Sequence, residues 1–307
     1  MAVPTIYNQI DANRRKTILL MIGFSAFITV VAYILIRALG YQGIGALGFT
    51  GIFLIISGLI NFSSYYWSDK IVIAMSGAKP VEEKDNPELF HTVENLCIAS
   101  GLPMPKVYVI ADPATNAFAT GRDPKHSAVA VTSGLLERLD DLELEGVIAH
   151  ELSHVKNNDT RLMSIIVVLV GLVAVLADVF FRMMWWGRGG NNERKGSGAV
   201  FLLLGVVAAI LAPIVANLIK LAISRRREFL ADASGALLTR YPEGLANALI
   251  KISQDPNTLR TANNATAHLY IVNPFKGKQA KEWLVNLFST HPPVEERVAA
   301  LRATVTP

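Results

Sequence analysis

The sequence predicts an α+β fold: a mainly helical domain with a small β-sheet, joined to four membrane-embedded helices. Three features point there. Hydrophobic residues make up 51% of the 307 and charged residues only 18%, and mean hydropathy is positive, which leans away from a soluble domain. Four long apolar runs carry little or no charge. Between the second and third, helical periodicity alternates with short β-branched segments.

Residues 1–16 are polar and end in Arg14-Arg15-Lys16. Residues 17–36 are then uncharged, long enough at about 1.5 Å per residue to cross a hydrocarbon core of about 30 Å. No small-residue cleavage site closes this run and another follows at once, so it reads as a retained anchor rather than a signal peptide. The second run, 43–62, ends at Tyr65, Tyr66 and Trp67, an interfacial aromatic belt. The short linker makes the two runs a hairpin. Basic residues before it and Lys70 after it put both ends on the cytoplasmic side. The formal charge of +4 therefore reads as membrane anchoring, not as nucleic-acid binding. A single cysteine, Cys97, excludes an internal disulfide and suits a reducing compartment.

Residues 69–161 read as a water-exposed α/β portion. A helix is expected over 87–99, strands over 106–110 and 128–132, and a small-residue edge strand over 116–121. Ser133 is expected to cap a short helix, and a second helix runs from about Asp141. The third run, 162–177, is interrupted by Asp178; a glycine-rich connection, 187–198, leads to the fourth, 199–219. That connection carries Arg188, Arg194 and Lys195, which opposes the orientation rule unless the last two runs insert incompletely or lie against protein. Either way the chain returns to its starting side. The expected domains are a hairpin at 1–68, a catalytic portion built from 69–161 and 224–307, and a second hairpin at 162–223 inserted in it.

The chemistry concentrates at His150-Glu151-Leu152-Ser153-His154. Residues four apart share a helix face, so both imidazoles reach one metal ion, while Glu151 points about 100° round the axis, where a general base acts on water. A catalytic zinc takes three protein ligands and leaves one position open. Glu228 follows the fourth run closely, so a hairpin of runs three and four brings it to the height of His154, roughly 7–12 Å above the membrane if helical. Asp232 shares its helix face and suits a carboxylate hydrogen-bonded to a ligand histidine. A Glu–Arg surface pair is the plainer alternative for Glu228. The variant of the motif with Gly at 157 and His at 160 is excluded by Asn157 and Thr160. The acidic run from Asp140 to Glu151 argues against a site buried in the bilayer.

Residues 116–121, the His motif, the Glu228–Asp232 pattern and Ser289-Thr290-His291-Pro292-Pro293 together resemble, in the same order, the HtpX-type membrane zinc endopeptidases, relatives of the CAAX prenyl proteases. The resemblance covers nearly the whole chain. It implies a zincin-like domain with one Zn2+ per subunit, His150, His154 and Glu228 as ligands, Glu151 as base and Asp232 behind His150. It also implies a cytoplasmic catalytic domain at the bacterial inner membrane that degrades misfolded or damaged membrane proteins under stress. The partners on that reading are unfolded membrane-protein segments, the lipid bilayer and a membrane protease or regulatory protein, with no nucleic acid. His291 and Arg297 become candidate oxyanion donors, the alternative being that His291 and the prolines only cap the following helix. Substrate is expected to add antiparallel to Asn116, Ala117, Phe118 and Ala119. A scaffold holding structural zinc would need a fourth ligand, and a transporter around Asp178 would leave the His motif unexplained.

Overall fold

The computed structural model describes residues 6–38, 42–186, 225–263, 265–275 and 292–303, with side chains at 6–12, 35, 38 and 174–186 outside the description. Two long helices come first, α1 (Ile6–Ala38) and α2 (Gly43–Ser76). Their burial is inside out. Ile18, Leu19, Ile22, Ile44, Leu47, Ile52 and Leu59 face outward, while α2 buries Ser57, Asn61, Ser64 and Ser68. Lipid solvates the apolar side chains, so small and polar residues at helical spacing form the contact between the two helices. Asn61 Nδ2 donates to the Met21 carbonyl at 2.9 Å and to Ser25 Oγ at 2.7 Å. α2 does not stop at its aromatic belt; it continues to Ser76 and ends on Gly77 in the left-handed region (φ 66°), so no break falls at residue 68.

Among the described residues two helices, not four, are long and apolar enough to cross a membrane, over Asn13–Ile34 and Gly43–Ser76. The third run lies in α6 (Asp159–Trp186). Its first turns are protein core: Leu162, Ile165, Ile166 and Leu169 are wholly buried among residues of α1, α2 and the sheet. That stretch of the run is apolar because protein covers it. The Asp178 side chain, the glycine-rich connection and the fourth run lie outside the description.

Four strands form one sheet in the order β1 (Lys79–Pro80), β2 (Lys106–Ile110), β4 (Ser127–Thr132), β3 (Ala117–Gly121). β2 and β4 are parallel, and β3 runs antiparallel to β4 with Phe118 opposite Ala130. Side chains alternate between two cores. Ala117, Ala119, Val129 and Val131 face the helices of the water-exposed part, whereas Phe118, Ala128 and Ala130 face α2 and α6. The sheet thus lies between two helical layers, and β3 and β4 are buried on both faces.

On the first face lie α3 (Pro87–Ser100) and α5 (Asp141–Lys156); α4 (Ser133–Arg138) is the short helix between β4 and α5. Thr132, not Ser133, caps α4, its side chain accepting from Leu135 N. Among the described residues three more helices follow: α7 (Arg225–Thr239), α8 (Pro242–Gln254) and α9 (Val294–Ala303). α8 packs Leu245, Leu249 and Ile252 into the same core as α5.

Candidate metal centre

α5 is started by a full capping box, Asp140 accepting from Glu143 N while the Glu143 carboxylate accepts from Asp140 N. One turn apart on its buried face, His150 and His154 bring their rings to 4.8 Å between centroids at an interplanar angle of 89°. α7 crosses α5 at Gly235, where a β-carbon would lie 3.0 Å from His150 N and 3.2 Å from its Cα. A side chain there would be tight against that backbone, and the close crossing brings Glu228, two turns earlier on α7, onto the histidines. Glu228 Oε1 lies 3.5 Å from His154 Nε2 and Oε2 lies 3.8 Å from His150 Nε2. One ligand atom from each of the three residues lies within 4.8 Å of the others, all buried. Tetrahedral zinc with bonds of about 2.0–2.1 Å needs ligand atoms about 3.3 Å apart. The two histidine–Glu228 separations come near that spacing, and the donor set suits a bound metal ion.

Both histidines are held from behind through Nδ1, which leaves each Nε2 facing Glu228. His150 Nδ1 lies 2.9 Å from Asp232 Oδ1, and His154 Nδ1 lies 3.1 Å from Asp159 Oδ2. Arg297, fully buried on α9, donates to both Asp232 oxygens, Nε at 2.8 Å and Nη2 at 2.6 Å, and from Nη1 to the Ile271 carbonyl at 3.0 Å. Its nearest approach to Glu228 is 3.9 Å. Burial pushes Asp232 up, but the charge and hydrogen bonds of Arg297 outweigh it and hold the carboxyl at about 2. The two histidines diverge. Burial drives His150 down to about 4. Burial also acts on His154, yet the Asp159 hydrogen bond and the Glu228, Asp159 and Glu151 charges lift it to about 9.

Glu151 lies on the sheet side of α5. Burial and then Glu228 raise its carboxyl to about 7, against lowering by His154, the backbone N–H of Ala119 and Arg297. The N–H of Ala119, on β3, is thus among the groups that hold the Glu151 carboxyl down. β3 is the last strand of the sheet, as expected, but its outer edge is not open. The Ala117 carbonyl accepts from Ile271 N at 3.0 Å, the Asn116 amide donates to the Val272 carbonyl at 2.9 Å, and Gly121 N donates to Ser164 Oγ at 3.3 Å. Asn116, Ala117, Phe118 and Ala119 are all buried, and Phe118 packs edge-on to Tyr270 in the opposite core. His291 lies outside the described residues.

Asp159, Asn13 and α8 have no part in the sequence reading above. An Asp five residues after the second histidine was the signal for the first. Asn13 gave none, since its contact spans 146 positions.

The chain matches the family described as Peptidase family M48 over residues 83–305. It is 46% identical to a protease HtpX homolog of Dictyoglomus thermophilum over 298 residues, covering 97% of this chain and 94% of that one. The protease HtpX homolog of Caldanaerobacter subterraneus subsp. tengcongensis is 44% identical over 306 residues, 99% of each chain. That of Tropheryma whipplei is 50% identical over 238 residues, 78% of this chain and 79% of the other. The crystal structure of S. mikatae Ste24p aligns with a TM-score of 0.47 at 20% identity, over 90% of this chain and 62% of that one. The chain belongs to peptidase family M48 and is a membrane metalloprotease of the HtpX type.

Proposed function

We propose that the chain is a zinc endopeptidase that cleaves misfolded or damaged membrane proteins on the cytoplasmic side of a bacterial inner membrane. The observation that carries the chemistry is one buried cluster in which His150, His154 and Glu228 converge with Glu151 beside them. The sequence division into a hairpin at 1–68 and a catalytic portion split around 162–223 is kept in this reading, with α2 serving both parts. His150, His154 and Glu228 are the zinc ligands. Bound zinc supplies Lewis-acid polarisation of water and of the scissile carbonyl. Glu151 removes a proton from the attacking water and delivers it to the leaving nitrogen as the C–N bond breaks. Asp232 fixes the His150 tautomer, and Arg297 fixes Asp232; the commitment of three of the five guanidinium N–H groups to Asp232 and the Ile271 carbonyl supports a positioning role over that of oxyanion donor. His291 remains the oxyanion candidate. Substrate enters as an extended strand along Asn116–Ala119, exchanging with the main chain at 271–272, and its main-chain hydrogen bonds explain low sequence specificity.

Glu151→Gln in the purified full chain should lower casein cleavage by about 10²–10⁴-fold while zinc content by metal analysis stays at one per chain. Cleavage at the wild-type rate would reject the base. Reconstituted in liposomes with a membrane protein carrying an unfolded loop on either side, the enzyme should cut only the loop on the side of its own catalytic domain; cuts in both would reject the sidedness.

A further inference from the structure

The two ligand histidines are held differently. The carboxylate behind His150 is itself anchored by Arg297, within the catalytic body. The carboxylate behind His154 is anchored by the first membrane helix. Asp159 is completely buried and opens α6, directly after Asn158, which takes a positive φ of 54° in the α5–α6 turn. Its two oxygens have separate tasks. Oδ2 meets His154 Nδ1 at 3.1 Å; Oδ1 accepts from Asn13 Nδ2 at 2.7 Å and lies 3.5 Å from Arg227 Nε. The same Asn13 amide lies 3.5 Å from the Asn157 carbonyl, so it grips the turn at both ends. Asn13 is itself buried, one turn before Thr17, and Ile18, Leu19 and Ile22 beyond it face outward.

We propose that Asn13 and Asp159 are positioning residues through which α1 sets the orientation of His154, and so the affinity of the centre for its metal. This rests on the reading of His150, His154 and Glu228 as the ligand set. A carboxylate on Nδ1 keeps the proton there and the Nε2 lone pair on the metal side. An amide facing a carboxylate must present its NH2, so Asn13 leaves Asp159 one orientation. A lipid-facing helix changes tilt with bilayer thickness. Movement of α1 therefore withdraws the grip on Asp159, and His154 loses its fixed rotation.

The test is competition for Zn2+ between a chromogenic chelator and the full-length chain in micelles, with Asn13→Asp, Asp159→Asn and the double variant. Asn13→Asp sets two carboxylates face to face and should weaken zinc binding by about 10–100-fold, the usual effect of losing such a partner. In the double variant the new amide at 159 can accept from His154 and donate to the new carboxylate at 13. Its affinity should return to within about threefold of wild type, a coupling that independent sites do not show. Melting of the metal-free proteins separates this from a structural role: the three variants should melt together while their zinc affinities differ. Wild-type affinity in Asn13→Asp, no recovery in the double variant, or losses that follow metal-free melting would each overturn the proposal. Wild-type and Glu228→Ala chains test the underlying site. If wild type takes up no zinc, or Glu228→Ala takes up as much, the ligand set itself fails and the coupling falls with it.

Discussion

His150 and His154 are one turn apart on one helix, share a cluster and still titrate in opposite directions. The cause is what stands behind each. At His150 the carboxylate is neutralised by Arg297, so burial dominates; at His154 the charges of Glu228, Asp159 and Glu151 combine with the Asp159 hydrogen bond. Without metal, His154 is protonated at neutral pH and His150 is not. A zinc ion must displace that proton, because only the neutral ring ligates. Raising the pH removes it in advance, so the apparent Kd should tighten about tenfold per pH unit from 6 to 8 and level off near 9, the His154 value. His150, at about 4, adds no slope in that window. Chelator competition across pH 6–10 measures it, and a flat profile below 8 would contradict the assignment.

At the scale of elements, the site depends on how closely α7 crosses α5. Gly235→Ala would put a methyl 3.0 Å from the His150 backbone nitrogen, and backbone cannot swing aside as a side chain does. We expect α7 to be displaced, stability to fall by about 1–3 kcal/mol and zinc affinity to fall with it; denaturant melts and metal titration both check this. β3 offers a different separation. The Ala119 N–H points away from β4, where the sheet loses no ladder bond if it is removed. Ala119→Pro should keep the fold yet lower turnover about tenfold or more by releasing Glu151. Circular dichroism and casein turnover report the two effects, and equal losses in both would count against a role for the strand in catalysis.

For the whole molecule, the metal centre joins α5 to α7 while the sheet joins both to α2 and α6. Metal bound only by the folded state stabilises it by about 2.7 kcal/mol when free at a hundred times its Kd. Chelation should therefore lower the melting temperature, and amide exchange should rise first along Arg225–Thr239. Unchanged melting on chelation would mean that the three ligands do not hold an ion. The same architecture explains why an apolar run is ambiguous. Residues 43–62 and 162–173 are both uncharged and mainly apolar, yet the large side chains of the first face outward and those of the second are core.

Much of the protein is legible from local spacing. The i, i+4 histidines with their neighbouring glutamate, the Glu228–Asp232 pair and the β-branched strands all follow from periodicities of 3.6 and 2, which neighbours in the chain dictate. Tertiary packing alone decided what covers each face and what stands behind each ligand. The closing of the β3 edge by 271–272, the engagement of Arg297 by Asp232 and the grip of Asn13 on Asp159 join residues far apart in sequence. Their partners are set by how buried surfaces meet, and no short-range pattern encodes that meeting.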